Sequence, residues 1–330
     1  MNNSPFLYES AEYEYISCDL CGRSDFEILN TKDRNNLIVR TCICKHCGLI
    51  FINPRMTRQW YVRYYQGEYR AQLARFKLKP LVNSDYEAAF RSATRHGMGL
   101  FSLVTPYIAR GLTIEVGSSI GGVLNGFKES LNVDVLGIEP SSDEAEFAAN
   151  KGIKTYNSLI EDFRENIPMA SNIICSQSLN HLLSPRFFLE WAYSHLENDG
   201  RIILEVQNFR HVYKHYKYMT RAIQIDHTFM FVPETLENFV DAAGFDILFM
   251  DVDENKDKKG IGINKGLGLP ALHIRLVGKK SKRVPFHNDL SYLNKYVEVF
   301  NSLEDVKGSY LYYLYKYELK KSLKAKLMNM

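Results

Sequence analysis

From Gly111 to Gly278 the chain alternates short apolar runs with amphipathic stretches, and this alternation restricts its fold more than any other feature. Strands separated by helices run parallel, because a parallel neighbour is reached only through a crossover. The pattern predicts strands near 112–116, 134–138, 153–156, 171–175 and 201–206, with helices near 121–130, 142–150, 159–165 and 185–197. Pro233 opens a further helix that Gly244 stops. Two strand-like runs follow, near 245–252 and 271–277, around a Lys- and Gly-rich excursion at Lys256–Gly268. Residues 84–109 and 286–330 also carry helical spacing. The expected organisation is a metal module over 1–55, a helical connector or substrate cap over 56–110, an α/β domain over 111–280 and a helical tail over 281–330.

A second constraint lies at the front of the chain. Five of the six cysteines occur as Cys18-x-x-Cys21 and Cys42-x-Cys44-x-x-Cys47, with Gly22 and Gly48 after the two C-x-x-C pairs. Two such pairs set four thiolates at the corners of a tetrahedron, which Zn²⁺ accepts at a closed structural site. A glycine after each pair permits the tight knuckle that turns backbone N–H groups toward sulfur. The predicted ligands are Cys18, Cys21, Cys44 and Cys47, with Cys42 a spectator and Cys175 a core residue. Free thiols in metal spacing fit a reducing compartment. The N-terminus lacks a secretory pattern, and no apolar run approaches the ~20 residues that cross a bilayer, so a soluble cytoplasmic protein is expected. A formal net charge of +3 over 330 residues gives no general case for nucleic-acid binding.

The turn Glu115-Val116-Gly117-Ser118-Ser119-Ile120-Gly121-Gly122 joins the first strand of the α/β region to its first helix. Gly117 and Gly121 exclude side chains where a ligand would approach the backbone. The second strand ends at Glu139, placed to accept both hydroxyls of a ribose. Together they predict an adenosine-containing cofactor above the carboxyl ends of the strands. A dinucleotide fingerprint starting at Gly117 fails at its middle glycine, Ser119. Glu115 then separates the cofactors: an acid there suits the cationic sulfonium and amino groups of S-adenosylmethionine (SAM) and repels a pyrophosphate.

With these residues the chain resembles class I SAM-dependent methyltransferases that carry an N-terminal zinc-binding domain, the group that includes the nucleotide-sugar C-methyltransferases. The resemblance runs from Cys18 to about Gly278. It is carried by the two C-x-x-C-G pairs, Leu49 through Pro54, Glu115 through Gly121, Gly137-Ile138-Glu139-Pro140-Ser141, Ser176 through Leu182, Leu204 through Asn208, and Asp226 through Phe231. It implies a Rossmann-like seven-stranded sheet whose last strand, near 271–277, is antiparallel. It implies that Glu115, Gly117, Ser118, Gly121 and Glu139 hold SAM, and that Glu161 and Asp162 lie where such enzymes contact adenine. Ser176 opens the loop along the methionine end. His227, paired with Asp226, and Tyr69, after the zinc module, are placed at the substrate. That substrate would be a sugar, nucleotide-linked, in surface polysaccharide or related glycan synthesis. The chain departs from the family in two places: about 50 residues follow the last strand where longer relatives carry a further α/β domain, and Asn172 replaces the usual acid of the fourth strand.

Methyl transfer needs acceptor, methyl and sulfur in line and a base for the acceptor's proton. Histidine suits that role, since its unperturbed pKa is ~6.5. His181, after the fourth strand, and His227, after the fifth, are the candidates; Asp226 would orient His227, and Asn208 is a candidate substrate contact. Tyr213-x-x-x-Lys217 matches a reductase pair, which Glu115 and Ser119 disfavour. Arg58, Arg63, Arg70 and Arg75 among tyrosines suit either a pyrophosphate or a packed helix with solvated arginines. The basic tail from Tyr310 to Lys326 suits packing or weak attachment to an anionic membrane surface. A zinc-knuckle RNA methyltransferase and a non-catalytic SAM-fold protein remain the alternatives.

Overall fold

A computed structural model of the chain describes residues 8–69, 72, 86–253, 266–286 and 290–309. Thirteen strands are described: β1 (Tyr13–Glu14), β2 (Phe26–Lys32), β3 (Ile38–Cys44), β4 (Ile50–Ile52), β5 (Arg55–Met56), β6 (Thr113–Val116), β7 (Val135–Glu139), β8 (Lys154–Asn157), β9 (Ala170–Ser176), β10 (Leu196–Gln207), β11 (Phe229–Met230), β12 (Phe245–Asp253) and β13 (His273–Lys280). The large sheet has seven strands in the order β12-β13-β10-β9-β6-β7-β8. β13 runs antiparallel to both β10 and β12, and the ladders among β10, β9, β6, β7 and β8 are parallel. This is the class I methyltransferase arrangement implied by the resemblance. Its order reverses at β6, between β7 and β9, where an open α/β sheet leaves a ligand crevice at its carboxyl edge.

Strands β6, β7 and β9 are buried along their whole length, as continuous apolar runs require when helices cover both faces. The helices Tyr86–Val104 and Gly122–Leu131 cross closely: a Cβ on Gly126 would stand 2.6 Å from the backbone of Thr94 and Met98. The helix Pro185–His195 begins at Ser184, whose hydroxyl accepts the Phe187 N–H at 3.0 Å. The predicted helix at 159–165 is only a 3₁₀ turn, Ile160–Asp162. Ile160 and Phe163 bury at three-residue spacing.

The cysteine module is fused to the sheet domain. A four-stranded sheet runs β11-β4-β3-β2, so Phe229–Met230 of the α/β region completes a ladder begun before residue 53. Phe51 packs edge-on to Phe26 at 5.1 Å and stacks on Phe229 at 6.1 Å. Cys18, Cys44 and Cys47 belong to the same buried cluster as Ile173, Leu204 and Phe239 of the main core. Asp19 closes the seam, its carboxylate accepting the Ser184 hydroxyl and the Arg186 N–H at 2.8 Å each. The expected boundary near 55 is therefore crossed by one continuous hydrophobic core.

After the sheet, residues 290–293 form a 3₁₀ turn and 296–309 a helix, so the predicted C-terminal helix begins later than 286. The tail from Tyr310, most of the Lys256–Gly268 excursion, and Arg70 and Arg75 lie outside the described residues. Among the described residues no helix is long and apolar enough to cross a membrane.

Candidate functional site

A cavity of about 620 Å³ opens over the carboxyl ends of β6, β7, β9 and β10. One half is walled by the turns that leave those strands. Gly117 leaves β6 with φ +73°, and the N–H groups of Gly117 and Ser118 both donate to the Ile138 carbonyl, at 2.8 and 3.2 Å. A Cβ on Gly117 would stand 2.5 Å from the Ser178 hydroxyl, so the neighbouring loop already demands glycine. Gly121, also left-handed, does not line the cavity: a Cβ there would meet Ala148 at 3.0 Å. The expectation that ligand approach selects Gly121 is thus replaced by close packing against the helix Ser142–Asn150.

Ser119 stands where the resembling motif carries its middle glycine, and it adopts φ +49° nonetheless. Its N–H donates to Glu139 Oε2 at 2.8 Å and its hydroxyl to Glu144 Oε2 at 2.5 Å, bonds that offset the strain of the left-handed backbone. Glu139 lines the cavity, and its other oxygen accepts the Ser141 N–H at 2.8 Å. Two backbone donors fix the carboxylate on the cavity wall.

Glu115 lies behind the turn and not on the cavity wall. It is 1% exposed, and its Oε2 has no hydrogen-bond partner. Burial, reinforced by Glu139 and Glu205, pushes its carboxyl well above the usual carboxylate range. Ser118 is likewise off the wall, its hydroxyl turned toward Gly137. The Glu161–Asp162 pair divides. Glu161 lines the cavity with a buried Oε1 that lacks a hydrogen bond, whereas Asp162 turns outward to an ion pair with Arg58. Ser176 is on the wall, its hydroxyl donating to Glu205 at 2.8 Å.

The other half is aromatic. Tyr61, Tyr65 and Tyr69 recur every fourth residue along the helical segment that starts at Arg58, and all three face the cavity. The Tyr65 hydroxyl lies 3.3 Å from His181 Nδ1. The rings of His181 and His227 meet edge to face at 4.6 Å, and both line the cavity. Asp226 points to His181 (Oδ2 to Nδ1, 3.4 Å) and not to its neighbour His227, whose Nδ1 lies 3.4 Å from Gln224. The acid therefore ion-pairs with the other histidine, although Asp226, His181 and His227 all lie within 4.8 Å of one another through one polar atom each. Asp226 is buried behind His181 and does not reach the cavity.

Burial lowers His181 from the ordinary histidine range, and Asp226 partly opposes that shift. His227 is held well below it by burial, then by His181 and Arg34. Both imidazoles are thus neutral near pH 7 and able to take a proton. Asn208 is fully buried beside His211 and off the wall; Gln207 occupies the wall instead, since neighbouring strand residues face opposite sides. Tyr213 and Lys217 also do not line the cavity. Sequence reasoning missed Arg34, Tyr65, Tyr216, Gln224 and His273, all on the wall. The four-residue spacing of Tyr61, Tyr65 and Tyr69 was a usable signal for Tyr65; the others are isolated in sequence.

At the far side of the seam, Cys18, Cys21, Cys44 and Cys47 each present a sulfur within 4.8 Å of the others. Cys18–Cys47 and Cys21–Cys44 are 3.4 and 3.6 Å apart, close to the edge of about 3.8 Å expected when four thiolates surround one tetrahedral ion. The Gly22 and Gly48 N–H groups donate to the Cys18 and Cys44 carbonyls at 2.7 and 3.0 Å, closing two matching knuckles. Cys42 lies outside this group, against the Asn53 carbonyl. The donor set fits a tetrahedral metal ion.

A family profile described as "Methyltransferase domain" matches residues 61–248, more than half of the chain. No curated protein sequence matches it. Solved structures similar to it include a SAM-dependent methyltransferase from Thermotoga maritima, a possible histamine N-methyltransferase (17% identical, TM-score 0.45, covering 60% of this chain and 95% of that one). Another is a SAM-dependent methyltransferase from Archaeoglobus fulgidus (18%, TM-score 0.46, covering 59% and 100%). A third is the plantazolicin methyltransferase in complex with S-adenosylhomocysteine (13%, TM-score 0.46, covering 68% and 99%). The profile match over most of the sheet domain decides the matter: this chain belongs to the methyltransferase-domain family and is a SAM-dependent methyltransferase.

Proposed function

We propose that the enzyme methylates an oxygen or an acidified carbon of a sugar, nucleotide-linked and used in glycan synthesis, with a structural Zn²⁺ on Cys18, Cys21, Cys44 and Cys47. The carrying observation is the pair of neutral histidines, half-buried His181 and buried His227, in the aromatic half of a cavity whose other half ends at Glu139. SAM supplies an activated methyl group when bound. Glu139, fixed by Ser119 and Ser141, accepts the ribose hydroxyls, and Glu161 lines the same half of the cavity, where it would meet the base. Tyr61, Tyr65 and Tyr69 exclude water and offer ring faces to the apolar C–H face of a sugar. His181 is the stronger candidate base, because Asp226 stabilises the imidazolium that forms when it takes the acceptor's proton. Tyr65 orients the same ring. The sugar itself rests on the resemblance and on this aromatic wall. The free thiols suit a reducing compartment such as the cytoplasm.

The test is incubation of the protein and SAM with a panel of nucleotide-sugars and, separately, transfer RNA, read by mass. Gain of one methyl group on a nucleotide-sugar is expected. Methylation of RNA with none on any sugar would overturn the reading.

A further inference from the structure

Glu205, on β10 behind the cavity wall, is fully buried and bonded through both oxygens. Oε1 accepts Arg275 Nε at 2.8 Å. Oε2 lies 2.6 Å from His96 Nε2 and accepts the Ser176 hydroxyl at 2.8 Å. Burial opposes the charge of Glu205, but His96 and Arg275 outweigh it and hold the carboxyl below the usual carboxylate range. An ionised carboxylate can only accept, so the Ser176 proton is committed to Glu205 and its oxygen stands on the wall as an acceptor. The other contact of that oxygen, 3.5 Å to His96 Nε2, is at the limit for a hydrogen bond. The Glu205 main chain holds the same loop: its carbonyl accepts the Gln177 N–H at 2.6 Å, where Gln177 takes φ +56°. The Ser178 hydroxyl lies 3.1 Å from the carbonyls of both Gly117 and Ser176 and ties this loop to the glycine turn.

Sheet order sets which part of SAM reaches this loop. Glu161 follows β8 and Glu139 ends β7, so a base and a ribose held there lie over those two strands. β6 comes next and β9 after it. Neighbouring strands are about 4.8 Å apart, so the amino-acid arm leaving the ribose passes over Gly117 and meets the end of β9 at Ser176. We propose that Glu205 is a positioning residue for the cofactor: it turns the Ser176 hydroxyl so that its oxygen accepts a hydrogen bond from the α-ammonium of SAM. This role goes beyond the sugar reading and does not depend on it. A Ser176 hydroxyl free to rotate could point its proton at the ammonium, so the anchor decides the sign of the contact. His96, from the helix Tyr86–Val104, and Arg275, from β13, serve the same end by keeping Glu205 ionised.

Calorimetry on the full chain tests this with two probes, S-adenosylhomocysteine and its deaminated analogue, which keeps the nucleoside, thioether and carboxylate and lacks the ammonium. Glu205→Gln offers an amide that can donate to the Ser176 oxygen, and Ser176→Ala removes that oxygen. Each should weaken S-adenosylhomocysteine by about 10-fold or more and leave the deaminated analogue unchanged. The double variant should lose no more than Ser176→Ala alone, since Glu205 acts through that hydroxyl. Equal losses for the two probes would mean that the substitutions merely deform the site, and unchanged S-adenosylhomocysteine binding to Ser176→Ala would remove the contact; either overturns the proposal, as does a double variant whose losses add. Should Glu205→Gln fail to fold beside buried Arg275, Glu205→Asp decides: it keeps the charge and shortens the reach to Ser176, and the same selective loss is required of it. A protein that shows this selective loss and methylates no nucleotide-sugar would lose the sugar reading and keep the role of Glu205.

Discussion

The two halves of the cavity are built by different means. The cofactor half is made of turns at the carboxyl ends of adjacent parallel strands, Gly117–Ser119, Glu139–Ser141, Ser158–Glu161 and Ser176–Ser178, so the sheet alone positions it. The acceptor half is gathered from distant segments: Arg34, the Tyr61–Tyr69 helix, His181, Tyr216–His227 and His273. These meet only because the cysteine module docks on the sheet through β11, Phe51 and Asp19. The difference teaches that damage to the module should disable the acceptor half first, while damage to a strand-end turn should disable cofactor binding alone.

The largest effect that can break this comparison is loss of a cysteine ligand. Cys47→Ser removes one of four thiolates beneath Leu49 and Phe51. Structural zinc contributes on the order of 10 kcal/mol to folding in isolated fingers, so a loss of several kcal/mol is expected here. Elemental analysis should show zinc lost from the variant, and its melting transition should fall sharply. A variant with no bound metal and an unchanged melt would show that the module needs no ion. Next in size is His181→Ala, expected to lower kcat by ~10²–10⁴ with SAM affinity retained, whereas His227→Ala should cost less. The reverse order, measured in the same assay, would return the base role to His227. Smaller again is Glu139→Gln, which keeps the shape and removes the charge that accepts the ribose hydroxyls. Its SAM affinity should fall by about 10-fold, with acceptor KM unchanged; a shift in acceptor KM instead would mean that the two halves are not independent.

The same division governs what the sequence revealed. The strand–helix alternation gave every strand of the large sheet: β6, β7 and β9 are continuous buried runs, and the crossovers from β6 to β7 and from β7 to β8 are recognisable helices. Glu139 was legible for the same reason: it is the last residue of a strand and its spacing from Gly117 is set by one crossover. Glu115, Ser118 and Gly121 were placed in the right turn but on its inner side, since periodicity fixes a turn's position and not which side chains reach the wall. Asp226 was matched to its chain neighbour when tertiary packing gave it His181. Arg34 had no signal at all: it is one arginine in a hairpin loop, and tertiary contacts such as the β11–β4 ladder and the bond from the Arg34 N–H to the Ile223 carbonyl carry that loop to the cavity.

The smallest expected effect, and the finest probe of the acceptor half, is pH. Burial lowers His181, with Asp226 opposing, and lowers His273, with Glu205 opposing; it lowers His227 furthest, with His181 and Arg34 adding. For a base that must be neutral, kcat/KM should be level above the ordinary histidine value of 6.5 and decline only below it. Stability follows with the same sign. A histidine whose folded value is depressed binds fewer protons in the folded state, so its contribution is fully present above the unfolded value and is lost as pH falls through the folded one. Chemical denaturation between pH 8 and pH 5 should therefore show constant stability at the upper end and a decline below about 6.5. The His181→Ala and His227→Ala variants should flatten that decline, while Glu139→Gln leaves it in place. A decline that persists unchanged in both histidine variants would show that neither His181 nor His227 is the titrating group, and would leave His273 as the histidine of the acceptor half that carries it.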